Sequence, residues 1–251
     1  MTKIEWTTRG AVREVLVNRP EARNALDSGM VEQLRAIFET QPAPAERVAV
    51  IRASGSVFCA GLDLKEQARS AEGASAIERM LEAVEGFPLP VVAVVQGDAI
   101  AGGNELALHC DFVIASASAR FGMSLAQIGM STSWFLTKKI MEVAGPVATR
   151  RILLLGDPLP AGEMHRLGII SHLAPPDHVE ATAQAVIDRL AANAPLSLKS
   201  MKALIVREMA FRDHILHADI DIQVEGVRTS DDAVEGIAAR LAKRAPQFKG
   251  R

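Results

Sequence analysis

Residues 97–110 read GDAIAGGNELALHC. A run of small residues ends in Gly102 and Gly103, and the carboxylate of Glu105 follows. The strand-like run Val91–Val95 leads in, and the helix-like run Glu105–His109 leads out. A glycine turn at a helix N-terminus leaves free N–H groups pointing outward, where no side chain blocks a ligand. Such groups can hold a developing oxyanion. The acid/base group then sits one step beyond them. Taken alone, the same stretch also describes a tight strand-to-helix turn with a surface glutamate.

Working outward, residues 57–66, VFCAGLDLKE, form a second small-residue turn after the strand-like run Val48–Arg52. The segment Asn18–Leu26 reads NRPEARNAL, and Ala119–Met130 reads ARFGMSLAQIGM. Leu155–Leu173 reads LGDPLPAGEMHRLGIISHL, and Thr229–Gly250 reads TSDDAVEGIAARLAKRAPQFKG. In this order and at this spacing the segments resemble the crotonase family, also called the enoyl-CoA hydratase/isomerase family. The resemblance covers nearly the whole chain.

Composition sets independent bounds. A chain of 251 residues, 49% hydrophobic and 23% charged, is long enough to bury a large core. A net charge of −2 argues against a nucleic-acid partner held by bulk electrostatics. Cys59 and Cys110 lie in apolar runs and read as reduced core residues, without partners for a metal site. The opening MTKIEWTTRG has no signal-peptide core, and the apolar run Pro90–Val95 is too short to span a bilayer. The expected compartment is the cytoplasm, with no membrane partner.

Ile4–Thr7 and Ala11–Val17 read as a strand pair turning at Thr8–Gly10. Asp27 is placed to cap a helix over Met30–Glu39, ended by Pro42 and Pro44. Ile77, Leu81 and Val84 give Ala74–Val84 one apolar face. Strands at Val91–Val95 and Phe112–Ala115 flank the Gly102–His109 turn and helix. This alternation argues for an α/β fold. From about Ala144 the pattern reads as helical throughout: Pro146–Leu155, Ala161–Leu167, Val179–Ala192, Leu196–Met209 and Asp231–Ala242, the last capped by Ser230. The resemblance implies a crotonase-like spiral of β-β-α units. It divides the chain into a core over 1–192 carrying an acyl-CoA site and a C-terminal helical region over 193–251. That region is expected to pack on a neighbouring subunit in a homotrimer or a dimer of trimers, completing the active site there.

The resemblance also implies the chemistry. An acyl-CoA thioester acidifies its α-carbon, and the enolate oxygen needs hydrogen-bond donors. The matching donors are the backbone N–H groups of Leu62 and Gly102, with Gly61 and Gly103 letting the backbone come close. In comparable sites one such donor is worth about 3 kcal/mol. Glu105 matches one of the two glutamates of the hydratase branch and would move the proton. Arg23, Ala60, Asp63, Leu64, Lys65 and Lys249 match positions that hold coenzyme A, and Lys243 is a further basic candidate. No cofactor beyond the coenzyme A moiety is implied.

Two departures stand out. Leu125 occupies the position of the hydratases' second glutamate, and Gly129–Leu136 reads GMSTSWFL where the family is small and glycine-rich. Leu125, Trp134 and Phe135 are therefore expected to shape an apolar substrate pocket. One carboxylate suits proton shuttling between carbons, as in double-bond isomerisation, better than positioning water. Simple isomerases of the family, however, tend to keep the glutamate missing here. The alternatives are a specialised member (a dehalogenase, decarboxylase or C–C hydrolase) or a silent acyl-CoA-binding protein. Asp98, His109 and Asp111 are weaker polar candidates, and Ser124, Ser131 and Ser133 could place a water. No P-loop, G-x-G-x-x-G, H-E-x-x-H or G-x-S-x-G pattern is present in the sequence.

Overall fold

A computed structural model describes residues 2–67 and 73–251. The chain opens with β1 (Ile4–Arg9) and β2 (Val12–Val17), an antiparallel pair turning at Gly10, where φ is +59°. Helix α1 (Ser28–Glu39) is capped by Asp27, whose Oδ1 accepts the Met30 N–H at 2.9 Å. Buried Arg13 on β2 closes its other end, donating to the carbonyls of Ile37 and Thr40 while pairing with Glu46. A cation there meets the unpaired carbonyls of the last turn.

Three β-β-α turns follow. The first runs β3 (Val48–Ala53), β4 (Val57–Cys59), α2 (Leu64–Gln67) and α3 (Gly73–Gly86). The second is β5 (Val91–Val95), β6 (Asp98–Ile100) and α4 (Gly102–Leu108). The third is β7 (Phe112–Ser116), β8 (Arg120–Gly122) and α5 (Trp134–Arg150). Each turn gives its first strand to one sheet and its second strand to another. The chain continues through β9 (Leu159–Pro160), α6 (Ala161–Arg166), β10 (His172–Ala174) and α7 (Val179–Ala192). The larger sheet has the order β1-β2-β3-β5-β7-β10 and is parallel from β2 onward. The smaller one has the order β4-β6-β8-β9. Successive turns stack backbone on backbone. A Cβ on Gly97 would fall 1.9 Å from the Ser56 carbonyl oxygen.

The apolar pattern follows from this layering. Strand β5, VVAVV, is buried at all five positions. Val91, Ala93 and Val95 join the main core with Leu34, Leu81 and Val84, while Val92 and Val94 pack with Ala183, Ile187 and Leu190 of α7. A strand covered on both faces reads as a continuous apolar run, without alternation.

The last helices are α8 (Pro195–Met209), α9 (Ala218–Arg228) and α10 (Asp231–Leu241). Lys202 of α8 reaches the core, donating to the Leu89 carbonyl at 3.1 Å and to Asp111 at 2.7 Å. Ser230 caps α10, accepting the Ala233 N–H at 3.1 Å. Helix α10 lies directly on the short 3-10 turn Ala126–Ile128. A Cβ on Gly236 would stand 2.1 Å from the Ile128 carbonyl oxygen, and one on Gly129 2.2 Å from that of Asp232.

The sequence reading departs from the structure in several places. The helix expected from Pro146 is the second half of α5, which begins at Trp134 and breaks at Gly145 (φ +66°, ψ 172°) before Pro146. Its end passes into a π-helical turn, Arg151–Leu155. The region read as wholly helical also contains β9 and β10, and β4, β6 and β8 lie within or beside stretches read as turns or left unassigned. Strands of two or three residues are too short to show a period. Among the described residues, no helix is long and apolar enough to cross a membrane.

The closest backbone approach near the Glu105 turn yields a stability prediction. A Cβ on Gly103 would lie 2.2 Å from the Cys59 carbonyl oxygen, whereas one on Gly86 meets nothing within 4 Å. Gly103→Ala is expected to lower stability by about 1–3 kcal/mol, and Gly86→Ala to leave it unchanged or raise it by up to about 1 kcal/mol. Urea unfolding of the two variants checks the contrast.

Candidate active site

Two turns at the carboxyl ends of β4 and β6 abut. After β4, Gly61 takes φ +92° and its carbonyl accepts the Leu26 N–H at 2.8 Å. The Asp63 N–H returns to the Leu26 carbonyl at 2.8 Å, so Leu62 is pinned on both sides. After β6, Ala101 adopts φ 48°, ψ −119° and donates its N–H to the Gly122 carbonyl at 2.7 Å. This conformation is rare outside glycine, and strain of this kind clusters at functional sites. It turns the chain directly into α4, with Gly102 as the first helical residue.

A Cβ on Gly61 would lie 3.2 Å from the Gly102 nitrogen, and one on Gly102 3.6 Å from the Leu62 nitrogen. The two amides thus stand side by side. Among the described residues, no protein acceptor takes either N–H. Both residues line a cleft of about 630 Å³, together with Arg23, Ala60, Leu64 and Glu105.

Glu105 is completely buried on the first turn of α4. Neither carboxyl oxygen has a hydrogen-bond partner among the described residues. Burial pushes its carboxyl well above the usual carboxylate range, and the charge of Lys139 opposes this only in part. His109, one turn along, donates Nδ1–H to the Glu105 carbonyl at 2.8 Å, and that nitrogen lies 3.8 Å from Glu105 Oε2. Burial, helped by Lys139, holds the imidazole down at about 4. Burial thus favours the uncharged form of both groups over an ion pair. Lys139 stays charged despite its burial because Glu85 and Glu142 flank it.

Leu125 lines the cleft and packs on the main core. Trp134 and Phe135 do not belong to its wall. Phe135 stacks on His109 with centroids 5.2 Å apart, and Trp134 stacks on His217 at 4.6 Å. The helix beginning at Trp134 turns both rings toward neighbouring helices and brings Leu136 to the cleft instead. Ser124, Ser131 and Ser133 do line it, and Ser133 also caps α5.

The expected coenzyme A contacts divide in the same way. Arg23, Ala60 and Leu64 reach the cleft. Asp63 does not: it caps α2, accepting the Lys65 N–H at 3.0 Å, and pairs with Arg19 at 2.9 Å. Burial would raise its pKa, but the Arg19 hydrogen bond and its backbone donors outweigh that and hold it low. Lys65 is exposed and lies outside the lining. Lys249 also lies outside it, its N–H held by Asp232 at 2.6 Å. Asp98 lines the cleft with its carboxylate tied to Arg120, and Asp111 is structural, bonded to Lys202 and the Val91 N–H.

One wall escaped the sequence reading. Arg228, Thr229, Ala233, Ile237 and Arg240 of the C-terminal region line the cleft of their own chain. The region expected to complete a neighbour's site thus contributes to its own. Glu78 and Ile77 of α3 were missed as well. No local motif marks these residues as one wall, because packing brings it together from distant segments.

A sequence model of the enoyl-CoA hydratase/isomerase family matches residues 7–251. The chain is 32% identical over 259 residues to an enoyl-CoA isomerase/hydratase of Mycosarcoma maydis, covering 96% of this chain and 93% of that one. It is 30% identical over 259 residues to the 2,3-dehydroadipyl-CoA hydratase of Escherichia coli, covering 100% of both. Among solved structures, an enoyl-CoA hydratase of Mycobacterium avium subsp. paratuberculosis superposes with a TM-score of 0.88 at 28% identity, covering 99% of each chain. A methylmalonyl-CoA decarboxylase reaches 0.90 at 22% identity, covering 100% of this chain and 99% of the other, a likeness of fold alone.

The buried acid has a thermodynamic signature. With its folded pKa raised, Glu105 favours folding most fully below the unfolded pKa of about 4.3, and that contribution is lost as pH rises toward the folded value. Glu105→Gln is therefore expected to gain stability relative to wild type as pH rises from 4 to 8. Urea midpoints of both proteins across that range test the sign.

Proposed function

Because the chain belongs to the enoyl-CoA hydratase/isomerase family, we propose that its own cleft binds an acyl-CoA thioester and moves a proton at the α-carbon. The carrying observation is Glu105: a dry carboxyl with no hydrogen-bond partner among the described residues, placed just after two abutting amides. The thioester carbonyl oxygen accepts the N–H groups of Leu62 and Gly102. As the enolate forms, negative charge moves onto that oxygen, where fixed donors stabilise it without reorganising. Burial favours the protonated form of Glu105, and in that form it delivers its proton to the α-carbon of an enolate. When ionised it removes one. These steps are common to hydration of a 2-enoyl-CoA and to double-bond isomerisation.

Arg23, Ala60 and Leu64 line the coenzyme A side of this reading, and Leu125 and Leu136 the acyl side. No metal or prosthetic group enters the scheme. We divide the chain into the spiral core over 1–192 and the helical region over 193–251, and we assign it a trimer or a pair of stacked trimers. Leu204, Ile205, Phe211, Leu216 and Ile222 of the helical region are exposed, and a partner surface would cover them. The free buried thiols of Cys59 and Cys110 fit a reducing compartment, and we place the enzyme in the cytoplasm.

Glu105→Gln keeps the size and polarity of the side chain but cannot carry the proton. It is expected to lower turnover of crotonyl-CoA or a 3-enoyl-CoA by about 100-fold or more, with acyl-CoA affinity within severalfold. Steady-state kinetics and calorimetric titration with an unreactive acyl-CoA check both parts. Retained turnover would move the acid/base role elsewhere. For the assembly, light scattering should give three or six times the 26.9 kDa chain mass. A monomer throughout a dilution series would contradict it.

A further inference from the structure

Glu105 supplies a proton, but hydration also needs a group to take one from water, and the wall position of Leu125 offers none. We propose that Glu78 is the second acid/base residue of this cleft, the general base for water added to a 2-enoyl-CoA. This rests on the reading of Glu105, Leu62 and Gly102 given above.

Glu78 reaches the site from α3, an element with no part in the two glycine turns. Helix α3 packs against α4. Its Ile77 presses on the second turn: a Cβ on Gly102 would stand 2.7 Å from Ile77 Cδ1. The next residue, Glu78, lines the same cleft as Glu105, Leu62, Gly102 and Leu125. The other acids nearby are engaged. Asp98 accepts hydrogen bonds from the backbone N–H and guanidinium of Arg120. Asp63 is held by Arg19 and by the start of α2. Glu66 accepts from the N–H and hydroxyl of Ser28, and Glu85 pairs with Lys139. Among the described residues, no side chain or backbone donor engages the Glu78 carboxylate.

The two acids also occupy different surroundings. Glu105 is sealed from solvent, whereas Glu78 is half-buried on the wall of an open cleft. Carboxyls in such contrasting environments divide into acid and base. In the addition step the Glu78 carboxylate takes a proton from water as the water oxygen bonds to the β-carbon. The electron pair of the carbon–carbon double bond moves toward the thioester, and the oxygen charge is held by the Leu62 and Gly102 amides. Glu105 then gives its proton to the α-carbon as the enolate collapses. One water has been added, leaving Glu78 protonated and Glu105 ionised. Proton exchange with solvent resets both.

The test compares two reactions of one protein: hydration of crotonyl-CoA, and isomerisation of 3-hexenoyl-CoA, which needs Glu105 alone. Glu78→Gln is expected to lower the ratio of hydration to isomerisation by about 100-fold or more. Glu78→Asp keeps a carboxylate one methylene shorter and should retain more hydration than Glu78→Gln. Adding Leu125→Glu to Glu78→Gln, which restores a carboxylate from another wall, should recover part of the hydration. Glu78→Gln with an unchanged ratio overturns the proposal, as does a wild type that isomerises without hydrating. A wild type that does neither, while folded, removes the reading of Glu105 on which the proposal rests.

Discussion

The site depends on the contact of two backbones with no side chain between them. Gly103 sits so close to β4 that a single methyl group would overlap the Cys59 carbonyl. Gly61 and Gly102 also lie close, a Cβ on Gly61 falling 3.2 Å from the Gly102 nitrogen. This closeness brings amides forty residues apart in the chain within reach of one ligand atom. It also explains why a strained Ala101 is tolerated: its N–H is held by β8, and the turn it makes starts α4 at the required place. The larger sheet, the stacked spiral turns and the α3–α4 packing all hold that contact in register.

Beside the amides the structure withholds water. Glu105 has neither solvent nor a protein donor among the described residues, so its proton is retained to a pH at which an exposed glutamate has lost it. The ion cluster Glu85–Lys139–Glu142 lies behind it and tempers that effect without bonding to it. A carboxyl kept dry and loosely held is poorly stabilised in the free protein. It becomes useful when a ligand supplies the atom that exchanges its proton. The loss of stability expected as pH rises and the chemical role proposed for Glu105 thus share one physical cause.

The roof over the site comes from the other end of the chain. Helix α10 rests on the Ala126–Ile128 turn through Gly129 and Gly236, both backbone-to-backbone contacts. Lys202 anchors the preceding helices to the core through Asp111 and the Leu89 carbonyl. The same chain therefore supplies this wall of the cleft, while apolar side chains on α8 and α9 remain uncovered.

The sequence alone determined what depends on residues close together in the chain. The strand–glycine–helix turn at Gly102, the Asp27 and Ser230 caps, the strand at Val91–Val95 and the identity of Glu105 all rest on local period, φ preference or spacing. The family resemblance was legible in six short segments in order along the chain. Tertiary structure decided what depends on where distant segments meet. Asp63 and Lys249 look like ligand contacts in sequence but are claimed by helix ends and a folded-back tail. Trp134 and Phe135 look like pocket residues, but the rotation of α5 points them at His217 and His109. Helix α10 was legible as a helix, but neither its place on the wall of its own cleft nor that of Glu78 carried a local signal. A side chain's neighbours across a fold are set by packing of whole elements, and no window of sequence contains that information.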